Sequence, residues 1–488
     1  MDQAVIRRRR NGGFNPSRLF NASEPGQLMP VDPAYLYQDT AGTQPVTATG
    51  QSVALQLDQS KGLVLGTELV TNGDFSAGSD GWTENYDGIS GWQVVAGVAV
   101  HVGATNPYFT SSYQTTVGAT YKITCTVTGV VKLETADGIV DLSTGSRFFR
   151  ASLTFLRLYS NSSGSIDNIS IKELPGNHDT QATVGSRPIY GKHPANGYRN
   201  MLAASDTLST QSVTVTAVAH TLAFTGTGTV TLSGASTSGP LVGTGASNRV
   251  SLTFTPTAGT LTLTVSGSVT LAQMERGSLT AYQRCGATSG LSWPAPASYD
   301  ITEVGQPDLH YLHYNGVSSF MVSPTITPAT DKVQVFAGIR KLSDASIAVA
   351  LELSAAYGTN AGTFYLAAPE STGLSGDFSF ASRGSATPVA AKSPTTLAPA
   401  SRVVAGIGSI STDTSILRVN GAQVASTVTD QGTGNYLAYP IYTGRRGGTT
   451  MPANILLYSK IIRFGATLTA AQIASTERWT AQRTGVAI

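Results

Sequence analysis

The sequence predicts an all-β chain of several β-sandwiches in series, with one helix close to its C-terminal end. Three observations predict it. Short runs of alternating apolar and polar residues recur at roughly 8–12 residue spacing, separated by Gly, Asn and Asp, which marks sandwiches or barrels. Charged residues make up only 12% of the 488 while glycines number 52, so the outer faces must be built from Ser, Thr, Asn and Gln. A single stretch, starting at Thr469, carries a helix start signal.

Taken in order, residues 1–33 hold Arg7, Arg8, Arg9 and Arg10, then Phe14 and Phe20, with Pro16, Pro25 and Pro30 interleaved. No strand period survives there, and Ser17–Ala22 could form a helical turn at most. The segment reads as an arm that orders against a partner, or as a solvated basic tail. Residues 34–60 end in Val53, Leu55 and Leu57 on one face, with Ser52, Gln56 and Asp58 off it, which predicts a half-buried strand. Residues 63–174 carry the runs GWQVVAGVAVHV, TYKITCTVTG, FFRASLTF and LRLYSNS and read as one sandwich. Residues 175–200 are a polar connector. Residues 201–284 are a second, Thr/Ser-rich sandwich, in which Thr260, Thr262 and Thr264 alternate with Leu261, Leu263 and Val265. Residues 299–488 carry a third set of alternating runs. Asn420-Gly421 predicts a tight hairpin. Thr469 and Gln472 form a capping box, and Gly485 supplies the stop for a helix that packs Ile473 and Trp479 on the sheet.

Net charge is +2, which gives no global field toward nucleic acid or an anionic membrane. Four arginines without interleaved aromatics do not make a nucleic-acid site. No run of 18 apolar residues predicts a membrane span. Cys125 lies in phase with buried neighbours and Cys285 falls in a loop, so no disulfide framework is expected.

No catalytic constellation emerges: there is no nucleophile elbow, zinc-type His-Glu-x-x-His or phosphate loop. His310 and His313 are three apart in a strand and point to opposite faces. Glycan binding needs a flat aromatic face with planar polar side chains beside it. Tyr86, Trp92 and Tyr108, with Asn85 and Asp87, are the candidates in the first sandwich. Trp82 reads as core, whereas Tyr86 and Trp92 sit in a loop, GWTENYDGISGW, where exposure is expected.

Three stretches carry resemblances. LVTNGDFSAGSDGW with IDNISIKEL resembles the first and last strands of carbohydrate-binding jelly rolls of glycoside hydrolases and phage fibres. YLHYNGVSSFMV, DKVQVFAGIR, LRVNG and LTAAQIASTERWTAQRTG resemble the concanavalin/laminin-G-like sandwich of tailed-phage tail and fibre proteins. LYQDTAGTQPVTATGQSVALQLDQS resembles the segment that precedes that sandwich, and it would continue into GNHDTQATVGSRPIY if residues 63–174 were removed. The resemblance therefore implies multi-domain jelly rolls, with a discontinuous concanavalin-like domain of residues 34–60, 176–198 and 299–488 and one C-terminal helix. Modules 63–174 and 201–284 are then insertions, and 1–33 a virion-anchoring arm. In the resembling jelly rolls a structural calcium is held at positions matching Asn72, Asp74 and Asp167; no other cofactor is implied. Ser318-Ser319 stand where the concanavalin-like family often has acids, which removes a calcium-lectin site there.

These resemblances imply a non-enzymatic virion surface protein: a tail fibre or adhesin that binds host-surface glycan. Its partners would be tail, baseplate or capsid proteins through the arm, and a homotrimer is favoured. A capsid head fibre or decoration protein is the alternative reading. A glycan-degrading depolymerase is a further one, which a pair of carboxylates in one exposed groove would favour.

Overall fold

A computed structural model describes residues 14–21, 23–105, 107–287, 291, 294–373 and 375–488. Arg7, Arg8, Arg9 and Arg10 lie outside the described residues. The architecture is all-β, in antiparallel sheets, with one α-helix, Ala470–Thr484, among the described residues.

The largest unit is a sandwich of two sheets. One has eight strands, in the order Ile189–Pro194, Asp308–Asn315, Asn454–Phe464, Lys332–Lys341, Ala400–Ser409, Thr414–Val419 and Ala422–Thr427, with Gly26–Pro30 added on Asn454–Phe464. The other has nine: Leu36–Tyr37, Leu55–Gln56, Asp179–Thr180, Met321–Ile326, Tyr439–Thr443, Val349–Leu353, Thr363–Ala367, Ser379–Arg383 and Ala391–Lys392. A single apolar core lies between them, drawing Val333, Val335, Ile455 and Ile462 from the first and Met321, Leu351, Phe364 and Phe380 from the second. Asn420 and Gly421 both take positive φ, +49° and +81°, the geometry a two-residue hairpin turn demands.

Residues 63–174 form two five-stranded sheets around Trp82, Trp92, Phe109, Ile123, Leu158 and Ile166. Residues 201–284 form a four-stranded and a three-stranded sheet around Leu222, Phe224, Leu261 and Met274. Cys125 and Cys285 are free and buried, Cys125 in the core of residues 63–174, and Cys285 belongs to a short strand, Arg284–Cys285, rather than a loop.

Two further expectations need correction, and the helix bears out a third. Gly26–Pro30 is a fully buried strand, in register with Asn454–Phe464 from Gly26 opposite Arg463. Burial on both faces removes the alternation by which a strand is recognised. Phe20, expected in a free arm, instead packs half-buried beside Leu19, Leu28, Phe336 and Ile461; Phe14 is exposed. Second, the strand ending residues 34–60 is not half-buried: Gln56 and Asp58 are as buried as Val53, Leu55 and Leu57. Third, the helix has the expected cap. The Gln472 N–H donates to Thr469 Oγ1 at 3.3 Å, the Thr469 N–H to Gln472 Oε1 at 2.9 Å, and Gly485 sits at φ +69°. Its most buried face is Thr476, Glu477, Thr480, Ala481 and Thr484, while Ile473 and Trp479 pack half-buried against the cluster of Leu28, Phe336 and Ile461, the sheet side expected for them. The three threonines donate to the carbonyls four residues back, at 2.7, 3.0 and 2.8 Å, and so bury no unpaired hydroxyl. Glu477 receives Arg418 in a two-bond fork at 2.8 and 3.0 Å.

Buried polar side chains hold the points where the chain leaves and rejoins the large sandwich. The Asp58 carboxylate accepts from the Leu28, Ser60 and Asn177 N–H groups at 2.8, 2.9 and 2.8 Å, and from Ser60 Oγ at 2.8 Å. It thereby ties residue 58 to residue 177. At the second such point Asn200 makes four bonds. Its amide donates to the Ala272 and Gln283 carbonyls, at 2.9 and 2.8 Å, and its oxygen accepts from the Leu202 and Met274 N–H groups, both at 3.1 Å.

Candidate sugar-binding face

The site is built on the five-stranded sheet ordered Gly138–Asp141, Lys132–Thr135, Phe155–Tyr159, Tyr108–Gln114 and Trp82–Thr83. Strand alternation decides its two faces. Leu133, Leu156, Leu158 and Phe109 point into the core. The intervening Lys132, Glu134, Phe155, Arg157, Tyr159, Tyr108 and Thr110 point outward and keep part of their surface in solvent.

Register brings the outward residues together. Tyr159 lies opposite both Tyr108 and Lys132, and Arg157 opposite Thr110. The Tyr108 and Tyr159 rings meet at 5.6 Å and 58°. The Arg157 guanidinium sits 4.7 Å over the Tyr108 ring, a cation–π contact, and reaches Glu134 at 2.5 Å. Lys132 pairs with Asp141 at 3.3 Å and Arg150 with Asp137 at 2.9 Å. The face thus carries Tyr108, a residue 42% exposed, set beside the Arg157–Glu134 and Lys132–Asp141 pairs, whose charges cancel.

Of the sequence-predicted candidates, Tyr108 lies on this face. Asn85 is a bracket beside it: its amide donates to the Tyr108 carbonyl at 2.7 Å and its oxygen accepts from the Trp92 N–H at 2.7 Å. Asp87 closes an Asx turn, accepting from the Ile89 and Ser90 N–H groups, both at 2.9 Å. Tyr86 is exposed and donates to the Gly88 carbonyl at 2.9 Å. Trp92 corrects the expectation of an exposed ring. It is fully buried, stacked on Phe109 at 5.2 Å, with its indole N–H donating to the Pro107 carbonyl at 3.0 Å. A paired indole N–H makes such burial favourable. Trp82 is core as expected, stacked on Phe109 at 5.0 Å.

Glu134, Arg157 and Tyr159 escaped the sequence reading. Their signal was present, since alternation in LRLY puts Arg157 and Tyr159 on one side. The pairing with Tyr108 needs a register that local sequence does not encode.

The calcium candidates lie close together but are engaged with their own turns. The Ile169 N–H donates to the Gly73 carbonyl at 2.8 Å, and a Cβ on Gly73 would stand 1.9 Å from the Ile169 oxygen. Asn72 turns its amide to the Gly78 and Asp80 carbonyls, at 2.9 and 3.0 Å, and accepts from the Ala77 N–H at 3.1 Å. Asp74 accepts from the Ser76 N–H and hydroxyl, and these bonds lower its pKa. Asp167 accepts from the Asn168 N–H and side-chain amide, at 2.6 and 3.0 Å. Among the described residues no group of three or more His, Cys, Asp or Glu is placed to hold a metal. No helix among them is long and apolar enough to cross a membrane. In the large sandwich, Asn315 Oδ1 accepts from the Val317, Ser318 and Ser319 N–H groups.

No protein-family model matches the chain, and comparison with curated proteins finds no match. Several solved structures are similar over parts of it. The Ruminococcus gnavus IT-sialidase CBM40 bound to alpha2,3 sialyllactose is 15% identical, with a TM-score of 0.25, over 31% of this chain and 84% of that one. The native heptameric SAP-like pentraxin from Limulus polyphemus is 12% identical, with a TM-score of 0.28, over 33% and 78%. The Botulinum neurotoxin serotype G binding domain is 9% identical, with a TM-score of 0.28, over 37% and 44%. These are partial likenesses between β-sandwiches and carry no argument about what this chain binds.

Proposed function

We propose that this chain is a non-catalytic surface protein of a tailed-phage virion, a fibre or adhesin, whose module 63–174 binds uncharged host-surface glycan on the Tyr108 face. One observation carries the glycan reading: an exposed Tyr108 ring flanked by Tyr159 and by the Arg157–Glu134 fork on one open sheet face. The ring offers an apolar plane to the C–H surface of a sugar, and the fork offers oriented donors and acceptors to its hydroxyls. Glu134, Asp137 and Asp141 are each ion-paired, so the face favours holding a sugar over hydrolysing it.

The virion assignment rests on the sequence resemblances. They support a large sandwich made discontinuous by two inserted modules, and an N-terminal arm carrying Arg7–Arg10 toward a tail, baseplate or capsid partner. A trimer belongs to the same reading. A structural calcium at Asn72, Asp74 and Asp167 is its remaining element.

The test is binding of the full chain to arrayed neutral and anionic glycans, repeated with Tyr108→Ala. Binding to neutral glycan that falls about tenfold in the variant supports the reading, since the loss corresponds to about 1.4 kcal/mol, the upper range for one aromatic contact. Glycan binding that Tyr108→Ala leaves unchanged, or no binding by a folded chain, refutes it.

A further inference from the structure

We propose that Lys460 and Asp179 join in an intramolecular isopeptide bond that staples the two sheets of the large sandwich. Asp179 belongs to the short strand Asp179–Thr180 of the nine-stranded sheet, and Lys460 to the long strand Asn454–Phe464 of the eight-stranded sheet. Their side chains meet inside the sandwich, Nζ to Oδ2 at 2.5 Å, and both are wholly shielded from solvent.

The surrounding groups are placed for amide formation. Gln27 Nε2 donates to Asp179 Oδ1 at 2.7 Å, which polarises the carbonyl and supports negative charge developing on it. The Thr443 hydroxyl bridges nucleophile and leaving oxygen: Lys460 Nζ donates to Oγ1 at 2.8 Å, and Oγ1 donates to Asp179 Oδ2 at 3.2 Å. That chain is a proton relay from nitrogen to the departing oxygen. Asp58, with its four donors, holds the second buried carboxylate of the cluster. His178 Nδ1 accepts the Asp58 N–H at 2.9 Å and its Nε2 faces the Leu174 carbonyl at 3.2 Å, so this imidazole is neutral.

Burial lowers the Lys460 pKa, and Asp179 and Asp58 oppose that shift. A buried ammonium beside a buried carboxylate is costly to desolvate. Transfer of one proton from Nζ to Oδ2 gives a neutral amine and a neutral acid. The amine adds to Cγ, the Nζ–Cγ bond forms, and the Cγ–Oδ2 bond breaks. Water leaves with Oδ2, the proton already on it and a second proton from nitrogen. No oxidant or co-reactant is needed, and two buried charges vanish.

Lys341, the other fully shielded lysine, shows the contrast. It pairs with Asp344 at 2.5 Å but also donates to the Gly376 and Thr396 carbonyls. Its hydrogen bonds go to backbone carbonyls, and among the described residues no hydroxyl bridges the ammonium to the carboxylate as Thr443 does for Lys460.

Intact mass of the denatured full chain tests the proposal. The expected mass is one water below that of the sequence, with a branched proteolytic peptide linking residues 179 and 460. Lys460→Met and Asp179→Ala should retain the water, and Asp179→Asn should reach the same cross-linked mass by losing ammonia instead. Thr443→Val should convert more slowly. An aged wild-type chain of full mass overturns the proposal. So does a water loss that maps elsewhere, for example to the Asp137-Gly138 step. Neither result depends on whether a variant folds.

Discussion

Asp58→Ala is the sharpest test of how the sandwich holds its first module. The carboxylate accepts four hydrogen bonds, three of them from backbone N–H groups on separate stretches: Leu28, Ser60 and Asn177. Alanine removes every acceptor and leaves the three backbone donors without their partner. A buried donor left unpaired costs about 1–3 kcal/mol, and the Asn177 donor lies closer to solvent than the others, so the expected loss is about 3–6 kcal/mol. Asp58→Asn keeps one acceptor oxygen and should lose roughly half as much. Chemical denaturation of the full chain gives the total, and hydrogen exchange locates it. Protection should fall at residues 26–28, 58–60 and 176–180, while strands Thr120–Gly129 and Gly164–Glu173 keep theirs. A loss below about 1 kcal/mol, the net worth of one ordinary hydrogen bond, would refute the claim that Asp58 is the tie.

The other predictions address charge. His193 and His313 are buried and each is pushed down to about 4, chiefly by desolvation. Their folded values lie below the unfolded one, so the unfolded chain binds protons first as pH falls. Their contribution is complete above about pH 6.5 and is lost progressively toward pH 4, about 2–3 kcal/mol for each; denaturant midpoints at pH 7 and 4.5 should show the drop, and His313→Gln should shrink it. Glu477→Ala should destabilise by about 2–4 kcal/mol, because it strands the Arg418 guanidinium against the helix, with Glu477→Gln losing less by the same denaturant assay. Glu134→Gln frees Arg157 and should add binding to sialylated or uronate-containing glycans on the array; unchanged selectivity would show that the Arg157–Glu134 pair does not set it. A calcium at Asn72, Asp74 and Asp167 has to displace bonds these side chains make within their own turns, so adding calcium against chelator should raise Tm; an unshifted Tm would refute that element of the proposal.

The all-β class, the Asn420-Gly421 hairpin and the helix from its Thr469 cap were legible because each depends on neighbours within a few residues. What stayed hidden depends on distant ones. Gly26–Pro30 carries no alternation because both its faces are covered, and Gln27 is polar only to meet Asp179 and the Asn177 carbonyl. Gln56 and Asp58 read as a solvent face by period, yet they point into a polar interior that their own sequence cannot announce. The helix's most buried positions stayed hidden for a related reason. Gly338 leaves no Cβ where Thr484 sits, since one there would stand 2.1 Å from its hydroxyl oxygen, so Thr484 packs close against the sheet at that point. Trp92 reads as part of a Gly-rich loop, yet it belongs to the strand Gly91–Val95 and stacks on Phe109, a partner that local sequence does not reveal. On the candidate face, Tyr108 was legible as an aromatic and Arg157 was not, because only the pairing of two separate strands makes them neighbours.

The polar ties also bear on what the chain is for. An apolar contact between a module and its sandwich is indifferent to small rotations, whereas hydrogen bonds from Asp58 and Asn200 are directional and fix an orientation. Each tie meets backbone groups from both the departing and the returning strand, so neither module can turn without breaking several bonds together. Arg199, Gln283 and Glu303 extend the second tie, with Glu303 accepting at 2.8 Å from Arg199 and at 2.7 Å from Gln283. A chain with so few charged residues thus spends several of them inside, at the two points where orientation is decided. A binding face held in one direction loses less rotational freedom on contact with an extended surface than one on a loose tether, and several copies displayed in parallel can engage together. The proposed Lys460–Asp179 staple fits the same logic: it would join the two sheets close to the Asp58 tie, where the first module meets the sandwich.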